Sequence, residues 1–473
     1  MSRLTLDAAR RSGLLPIEPD RLHTGIVHLG LGAFHRAHQA VHTLDAVLAR
    51  GDDRWGICGV SLRSDEVRRR LVPQDLLYSF SERGPDARPA RIIPLLRQVL
   101  LAGQDSGAVV QQIAQPGVHL VTLTVTEKGY HLRRGRLDLS DPAVLADLTA
   151  PAPRTPVGLL ARGLQARHAA GLPPVTVLSC DNVPHNGALL RGLVGQFLTA
   201  AGHESTWLSA TAFPDSMVDR ITPATSPADL DAVEAELGMR DEAAVVAEPF
   251  TQWVVQDAFS GPRPGWEDAG VRIVPDVAPF EQAKLRILNA THSLLAYTGP
   301  LVGADTIAAA VQHPVLRAAA ERMIDEDVRP TLGVLVGLDL TDYAAQVLRR
   351  FKNPALAHTT AQVGSDGSQK LPPRVLEVVR QRLAGGHLPR WSTLAVAAWA
   401  LHVQALTERG QVLADPLAER LQARAREGID ALSSFEDVFG DLSGHSAFTA
   451  KVRSWYERLR ADGVGAIEDE LQR

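Results

Sequence analysis

Between Thr24 and Gly32 the chain reads TGIVHLGLG, an apolar run that ends in two glycines one residue apart. HRAHQAVHTLDAVLARG follows, with apolar residues at helical spacing and Gly51 where a helix should stop. This unit of strand, glycine turn and helix constrains the fold more than any other feature, because its pattern recurs. WGICGVSL, LLYSF, ARIIPLL, GVHLVTLTVT and PVTVLSC read as further strands, and NGALLRGLVGQFLTAAG reads as another helix. GVHLVTLTVT is nearly continuous in apolar and β-branched residues, as a strand buried on both faces must be. The alternation predicts an α/β class: an N-terminal Rossmann-type domain over residues 1–277 with a doubly wound, mostly parallel sheet. From 278 to 473 the 3.6-residue period dominates and β-branched runs nearly vanish, which predicts a C-terminal all-helical domain.

Composition narrows the function classes. The 473 residues carry a net charge of −5, with no basic run interleaved with aromatics, which argues against a nucleic-acid partner. Cys58 and Cys180 both sit in strand-like runs, so neither a disulfide framework nor a cysteine-based zinc site is expected. MSRLTLDAARRSGLLP lacks a signal-peptide core, and no apolar stretch reaches membrane-spanning length. The expected setting is cytoplasmic, without a membrane partner.

GLGAFHRAH places Gly30 and Gly32 in a G-x-G turn directly after the first strand, where backbone can approach a pyrophosphate. His35 stands where a third glycine would complete the fingerprint. Gly30, Gly32, Ala33, Phe34, His35 and Arg36 are the expected cofactor-binding residues here. An acidic residue for the adenosine ribose is expected after the second strand, in SLRSDEVRRR, where Asp65 or Glu66 qualifies. Arg63 beside them would suit a 2′-phosphate; the reading favours NAD over NADP. His35, His38 and His42 recur at i, i+3 and i+7, which suits a metal, but His35 reaching cofactor phosphate with Arg36, and His38 and His42 packing against the sheet, explain them better and no metal is expected.

Two further motifs lie at the carboxyl ends of strands, where open parallel sheets bind ligands. TVTEKGY brings Thr126 and Glu127 toward the cofactor and Lys128 toward a substrate; a plain surface pair of Glu127 with Lys128 competes. SCDNVPHNG carries Asn182, whose amide can donate to a developing alkoxide, with Asn186 as the helix-capping residue. In FPDSMVDRITP, Asp219 and Arg220 read either as an ion pair or as groups that orient the site.

KLRILNATHS is the most polar of the apolar helical patterns. At about 100° per residue, Lys284, His292 and Asn289 fall near 0°, 80° and 140°, and Glu281 near 60°. Left without partners, such buried groups would cost roughly 1–3 kcal/mol each. Lysine is rare here: of 49 basic residues only Lys128, Lys284, Lys352, Lys370 and Lys451 are lysines. Arginine keeps its proton at any working pH, whereas a desolvated lysine can release one and act as a general base. Phe351 to Arg374 reads as a loop-rich stretch whose Lys352, Lys370 and Arg374 could form a cationic pocket for an acidic substrate, a purpose Lys128 also suits; a plain polar connection competes.

In order along the chain, GLGAFHRAH, TVTEKGY, SCDN, MVDRI, KLRILNATHS and DGSQKLPPR resemble the polyol-specific long-chain dehydrogenases, the family of mannitol 2-dehydrogenase and fructuronate reductase. The likeness spans roughly residues 24–460. It implies a metal-independent, NAD-dependent oxidoreductase with its active site in a cleft between the two domains, in a monomer or weak dimer. It also implies that Lys284 is the general base, that Asn182 and Asn289 hold the substrate oxygen, and that His292 binds substrate. Glu281 and Asp219 match positions tied to proton relay and site organisation. TVTEKGY with DGSQKLPPR is most similar to the fructuronate reductase branch, which implies D-fructuronate and D-mannonate as the substrate pair; a neutral polyol such as mannitol or arabinitol is the alternative. A nucleotide-binding sensor without turnover, or a metallohydrolase built on the His35 cluster, would not need Lys284, Asn289 and His292 together.

Overall fold

The computed structural model describes residues 2–84, 86–335, 337–356 and 358–473. They form two compact units, Met1–Ala278 and Pro279–Arg473.

The first unit is built on five parallel strands: β1 (Thr24–Leu29), β2 (Gly56–Ser61), β3 (Leu96–Leu101), β4 (Leu120–Leu123) and β5 (Thr176–Ser179). Their order is β5-β4-β1-β2-β3, so the sheet changes winding direction between β1 and β4, the switch point where such folds hold ligands. Alternate residues serve two separate cores, which is why the strands lack polar alternation. Ile26, Leu120 and Leu178 join a cluster with Leu44, Trp253 and Trp266, while Val27, Val121 and Val177 join Leu160, Val194 and Phe197 on the other face. The expected strand LLYSF forms as Tyr78–Glu82, but outside this sheet. It pairs with Arg91–Ile93 and Val245–Ala247 in a smaller sheet of three.

The first helix departs from the expected continuous element. It runs Ala33–Ala37, breaks at His38 (φ −127, ψ −83), and resumes over Gln39–Arg50 to end on Gly51 with φ 64. The break turns the His38 ring into the protein, where Nε2 meets the Gln252 carbonyl at 3.0 Å. Its neighbours are likewise occupied internally. His42 bridges the Ala269 carbonyl and Thr251 Oγ1, and His35 stacks on His28 with centroids 3.4 Å apart. Among the described residues no group of three or more His, Cys, Asp or Glu is arranged to hold a metal.

Burial lowers the pKa of His28 to about 3 and that of His42 to about 4. In the unfolded chain both titrate near 6.5, so below that pH the unfolded state binds protons that the native state refuses. Stability is complete above about pH 6.5 and falls as pH drops toward the folded values. Between pH 7 and 5 the two imidazoles should remove roughly 2 kcal/mol each. Urea midpoints measured across that window should fall steadily, and less steeply in His42→Gln; a midpoint constant from pH 7 to 5 would contradict this.

The second unit is helical, and its central helix Arg390–Glu408 packs against Ala290–Thr298, Ala418–Glu427 and Ser446–Asp462. Trp391, Trp399 and Trp455 are buried there. Among the described residues, three helices pass through wider π turns: Lys284–Asn289, Met323–Val328 and Pro372–Leu376. In each, the hydrogen bond that closes the turn spans five residues: Ala290 N–H to Leu285, Arg329 to Ile324, Glu377 to Pro372. The first turn packs against both others. The stretch expected to be loop-rich is largely helical: Thr360–Gly364, Gly367–Leu371, and on through the third π turn to Ala384. Pro372 and Pro373 signal a helix stop, but the π turn tolerates the missing N–H donors and carries the helix through. No helix among the described residues is long and apolar enough to cross a membrane.

Candidate active site

In the first unit β1, β4 and β5 end side by side. Gly30 leaves β1 with φ 100, and a Cβ there would lie 2.1 Å from the Thr124 carbonyl oxygen, so only glycine fits. Gly32 starts the helix Ala33–Ala37 without a side-chain cap, and a Cβ on it would meet only the Gly30 oxygen, at 3.8 Å. These glycines open on a cavity of about 510 Å³ that Ser64, Thr124, Thr126 and Arg154 also line. Its size and its place at the switch point fit a dinucleotide.

Of the expected cofactor residues, Gly30, Gly32 and Thr126 line this cavity, whereas Ala33, Phe34, His35, Arg36, Asp65 and Glu127 do not. Arg36 is buried and donates to the Gly32 and Ala243 carbonyls. Asp65 lies 3.5 Å from Arg68 and 3.9 Å from Arg69, while Arg63 and Ser64 form the rim beside it. Glu127 and Lys128 are exposed on the turn Glu127–Tyr130.

Thr126 has φ 64 and ψ 163, a region almost reserved for glycine, at a cost of about 1–3 kcal/mol. Asp181, beyond the end of β5, accepts its N–H at 2.8 Å and that of Val125 at 3.1 Å. The Tyr130 hydroxyl adds a third bond, at 2.7 Å. Burial raises the Asp181 pKa, against the pull of these donors. Asn182, next in the chain, is exposed. Asn186 does not cap its helix as expected: it is fully buried and ties the Asp181 carbonyl to both backbone groups of Ser216. Asp215 caps that helix instead, accepting from Gly187 and Ala188.

Asp219 ends the strand Ser216–Asp219 and is buried. Arg220 beside it takes Glu82 as an ion partner at 3.0 Å, with both side chains almost wholly enclosed. It also donates to the carbonyls of Glu248 and Ala37, and thereby grips the helix that follows the glycine turn.

In the second unit, Lys284 and Asn289 open and close the first π turn and are 7 % and 8 % exposed. An i→i+5 turn needs more residues per revolution than an α-turn. Each step therefore rotates less than 100°, and Asn289 is drawn back from its expected 140° toward Lys284. Glu281 stands one turn earlier, in Ala278–Ala283. His292 follows, stacked on Phe351 at 4.7 Å and facing His358 at 5.8 Å. Its Nε2 is buried and has no hydrogen-bond partner among the described residues. Burial first, then the positive fields of His358, Arg374, Arg350 and Lys370, hold His292 well below its ordinary pKa, so the ring is neutral.

Arg374 lies on the third π turn and donates to Ser293 Oγ at 3.1 Å. Lys370 donates to the Val363 carbonyl and Ser365 Oγ, and burial followed by the Arg374 charge lowers its pKa. The glycine of DGSQK has a packing role: a Cβ on Gly367 would come within 2.3 Å of Trp399 Nε1 and 2.7 Å of the Tyr297 hydroxyl. The second unit thus gathers His292, Lys370 and Arg374 with two residues the sequence reading missed, Arg350 and His358. RRF and AHTT carry no periodic signal that points at His292. Lys128 belongs to the first unit.

Residues 24–268 match the mannitol dehydrogenase Rossmann domain, and residues 276–460 match the mannitol dehydrogenase C-terminal domain. The chain is 39% identical over 461 residues to the D-mannonate oxidoreductase of Escherichia coli (strain K12), covering 94% of this chain and 95% of that one. It is 39% identical over 459 residues to the mannitol 2-dehydrogenase of Pyrenophora tritici-repentis (strain Pt-1C-BFP), covering 94% and 81%. Among solved structures, the ternary complex of Pseudomonas fluorescens mannitol 2-dehydrogenase with NAD and D-mannitol superposes with a TM-score of 0.84 at 35% identity, over 100% of both chains.

Proposed function

This chain belongs to the mannitol dehydrogenase family, and from that premise we propose that it is an NAD-dependent oxidoreductase acting on the CH–OH group of a sugar acid, interconverting D-fructuronate and D-mannonate. The cationic cluster around His292 carries the choice of an acid: Arg350, Lys370 and Arg374 all hold its pKa down, although Lys370 already has the Asp366 carboxylate 3.8 Å away. A substrate carboxylate would neutralise this charge and give His292 Nε2 a partner. A relative named D-mannonate oxidoreductase supports the same substrate, and NAD in a solved relative supports the cofactor.

When bound, the nicotinamide would supply the hydride as NADH or accept it as NAD⁺. In reduction, the Lys284 ammonium gives its proton to the substrate carbonyl oxygen; in oxidation, the neutral amine takes it from the hydroxyl. Asn182 and Asn289 donate amide N–H groups to the oxygen as negative charge grows on it. His292 orients the substrate. Glu281 is the partner through which Lys284 exchanges protons, and Asp219 organises the site. Arg374, Lys370 and Lys128 bind the carboxylate. The glycine turn Gly30–Gly32 and Thr126 would seat the dinucleotide; Asp65, which does not line the cavity, would have to leave Arg68 and Arg69 to reach its ribose.

A neutral polyol is the second reading, favoured by the relatives named mannitol 2-dehydrogenase. With NADH, kcat/KM for fructuronate should exceed that for fructose by two or more orders of magnitude. Arg374→Ala should erase most of the difference, a loss of about 2–3 kcal/mol of charge-assisted binding. A preference for fructose in the wild-type chain would overturn the acid.

A further inference from the structure

We infer that Asp181 is a positioning residue for the dinucleotide: its carboxylate holds Thr126 in a backbone conformation that threonine rarely adopts, and so fixes the turn that faces the cofactor cavity. The inference rests on the cofactor reading above and is independent of which ketone is reduced. β5 runs parallel to β4, with Ser179 opposite Leu123, so the two strand exits lie side by side. From that neighbouring strand exit, the carboxylate of Asp181, a residue 7 % exposed, collects three donors. Oδ1 accepts from Thr126 N–H, and Oδ2 from Val125 N–H and the Tyr130 hydroxyl. Tyr130 is itself fixed by Ser179 Oγ at 2.6 Å, so the clamp spans both strands.

An ionised carboxylate suits this arrangement because it only accepts and has about four lone-pair sites. An amide of the same shape offers one oxygen and sets an NH₂ against a donor. Without the clamp, only the bond from Gly129 N–H to the Thr126 carbonyl remains, among the described residues, to set against the strain at Thr126, and the turn should relax toward negative φ. Thr126 and the turn Glu127–Tyr130 then leave their place at the cavity wall. Glycine takes positive φ without a side-chain clash, so glycine at 126 should hold the turn with the clamp removed.

NADH fluorescence titration of the wild-type chain, Asp181→Asn, Thr126→Gly and the double variant tests this. Asp181→Asn should weaken NADH binding by about tenfold or more. The double variant should bind within about threefold of Thr126→Gly alone. Wild-type affinity in Asp181→Asn, or losses that multiply in the double variant, would overturn the inference. If Asp181→Asn does not fold, the double variant still decides: folded and binding like Thr126→Gly, it supports the clamp; unfolded, it refutes it. A wild-type chain that binds no NADH would instead refute the cofactor reading.

Discussion

Replacing Lys284 with alanine is expected to lower kcat by three or more orders of magnitude while NADH affinity stays within a few fold. Removal of a general acid–base group costs about 10²–10⁴ in rate, and Lys284 is that group in the proposed mechanism. Lys284 is buried at the start of a π turn, with Asn289 at its end. Alanine fits a helix well, so the loss should appear in turnover and not in folding. Lys284→Arg should fail nearly as badly, because a guanidinium keeps its proton. The wild-type log kcat against pH should show one ionisation that is absent from Lys284→Ala. Single-turnover mixing of NADH with a keto-uronate separates chemistry from product release. Turnover within tenfold of wild type in Lys284→Ala would remove this residue from the proton transfer.

The second large effect falls on stability. Arg220→Ala should destabilise the first unit by about 3–5 kcal/mol, the range for breaking one side of a buried ion pair. Three consequences combine there. Glu82 keeps only Arg88, a more exposed partner; the carbonyls of Ala37 and Glu248 lose donors; and Phe80 loses the guanidinium packed 4.4 Å from its ring centre. Burial lowers the Arg220 pKa to about 10, so the charge persists at neutral pH. Replacing both partners, as Glu82→Gln with Arg220→Met, should cost clearly less than the two single changes added together, since neither charge is then left alone. Urea unfolding of the four proteins measures this cycle, and additive losses would show that the pair is not coupled. Because Arg220 also holds Ala37, NADH affinity should fall with the single substitution.

Much of the fold was legible because its signals are local. Strands covered on both faces leave no room for polar alternation, and Gly30 and Gly51 adopt the positive φ that their positions suggest. What sequence could not give is where polar side chains turn once a motif is packed. His35 and Arg36 look like groups aimed at a phosphate, yet Arg36 bonds to internal carbonyls and His35 stacks on His28. Asn186 looks like a helix cap, yet the cap comes from Asp215, twenty-nine residues later in the sequence. Arg350 and His358 reach His292 by tertiary packing alone. The π turns escaped for a related reason: a 3.6-residue template fits KLRILNATHS well enough to hide a turn of another width.

That width has a consequence for how this helix should be numbered. A π turn is a phase slip, as if one residue had been spliced into an α-helix. Ala278–Ala283 and Ala290–Thr298 each keep regular time, but they do not keep the same time. Neighbours at i+3 and i+4 are therefore true neighbours within either half and misleading across the seam between Lys284 and Asn289. Deleting one residue inside the seam would restore an unbroken α-helix and leave the apolar face largely in register. Lys284 and Asn289 would then stand four residues apart and still share a face, whereas winding the same residues into a regular α-helix without the deletion would carry Asn289 to about 140° from Lys284.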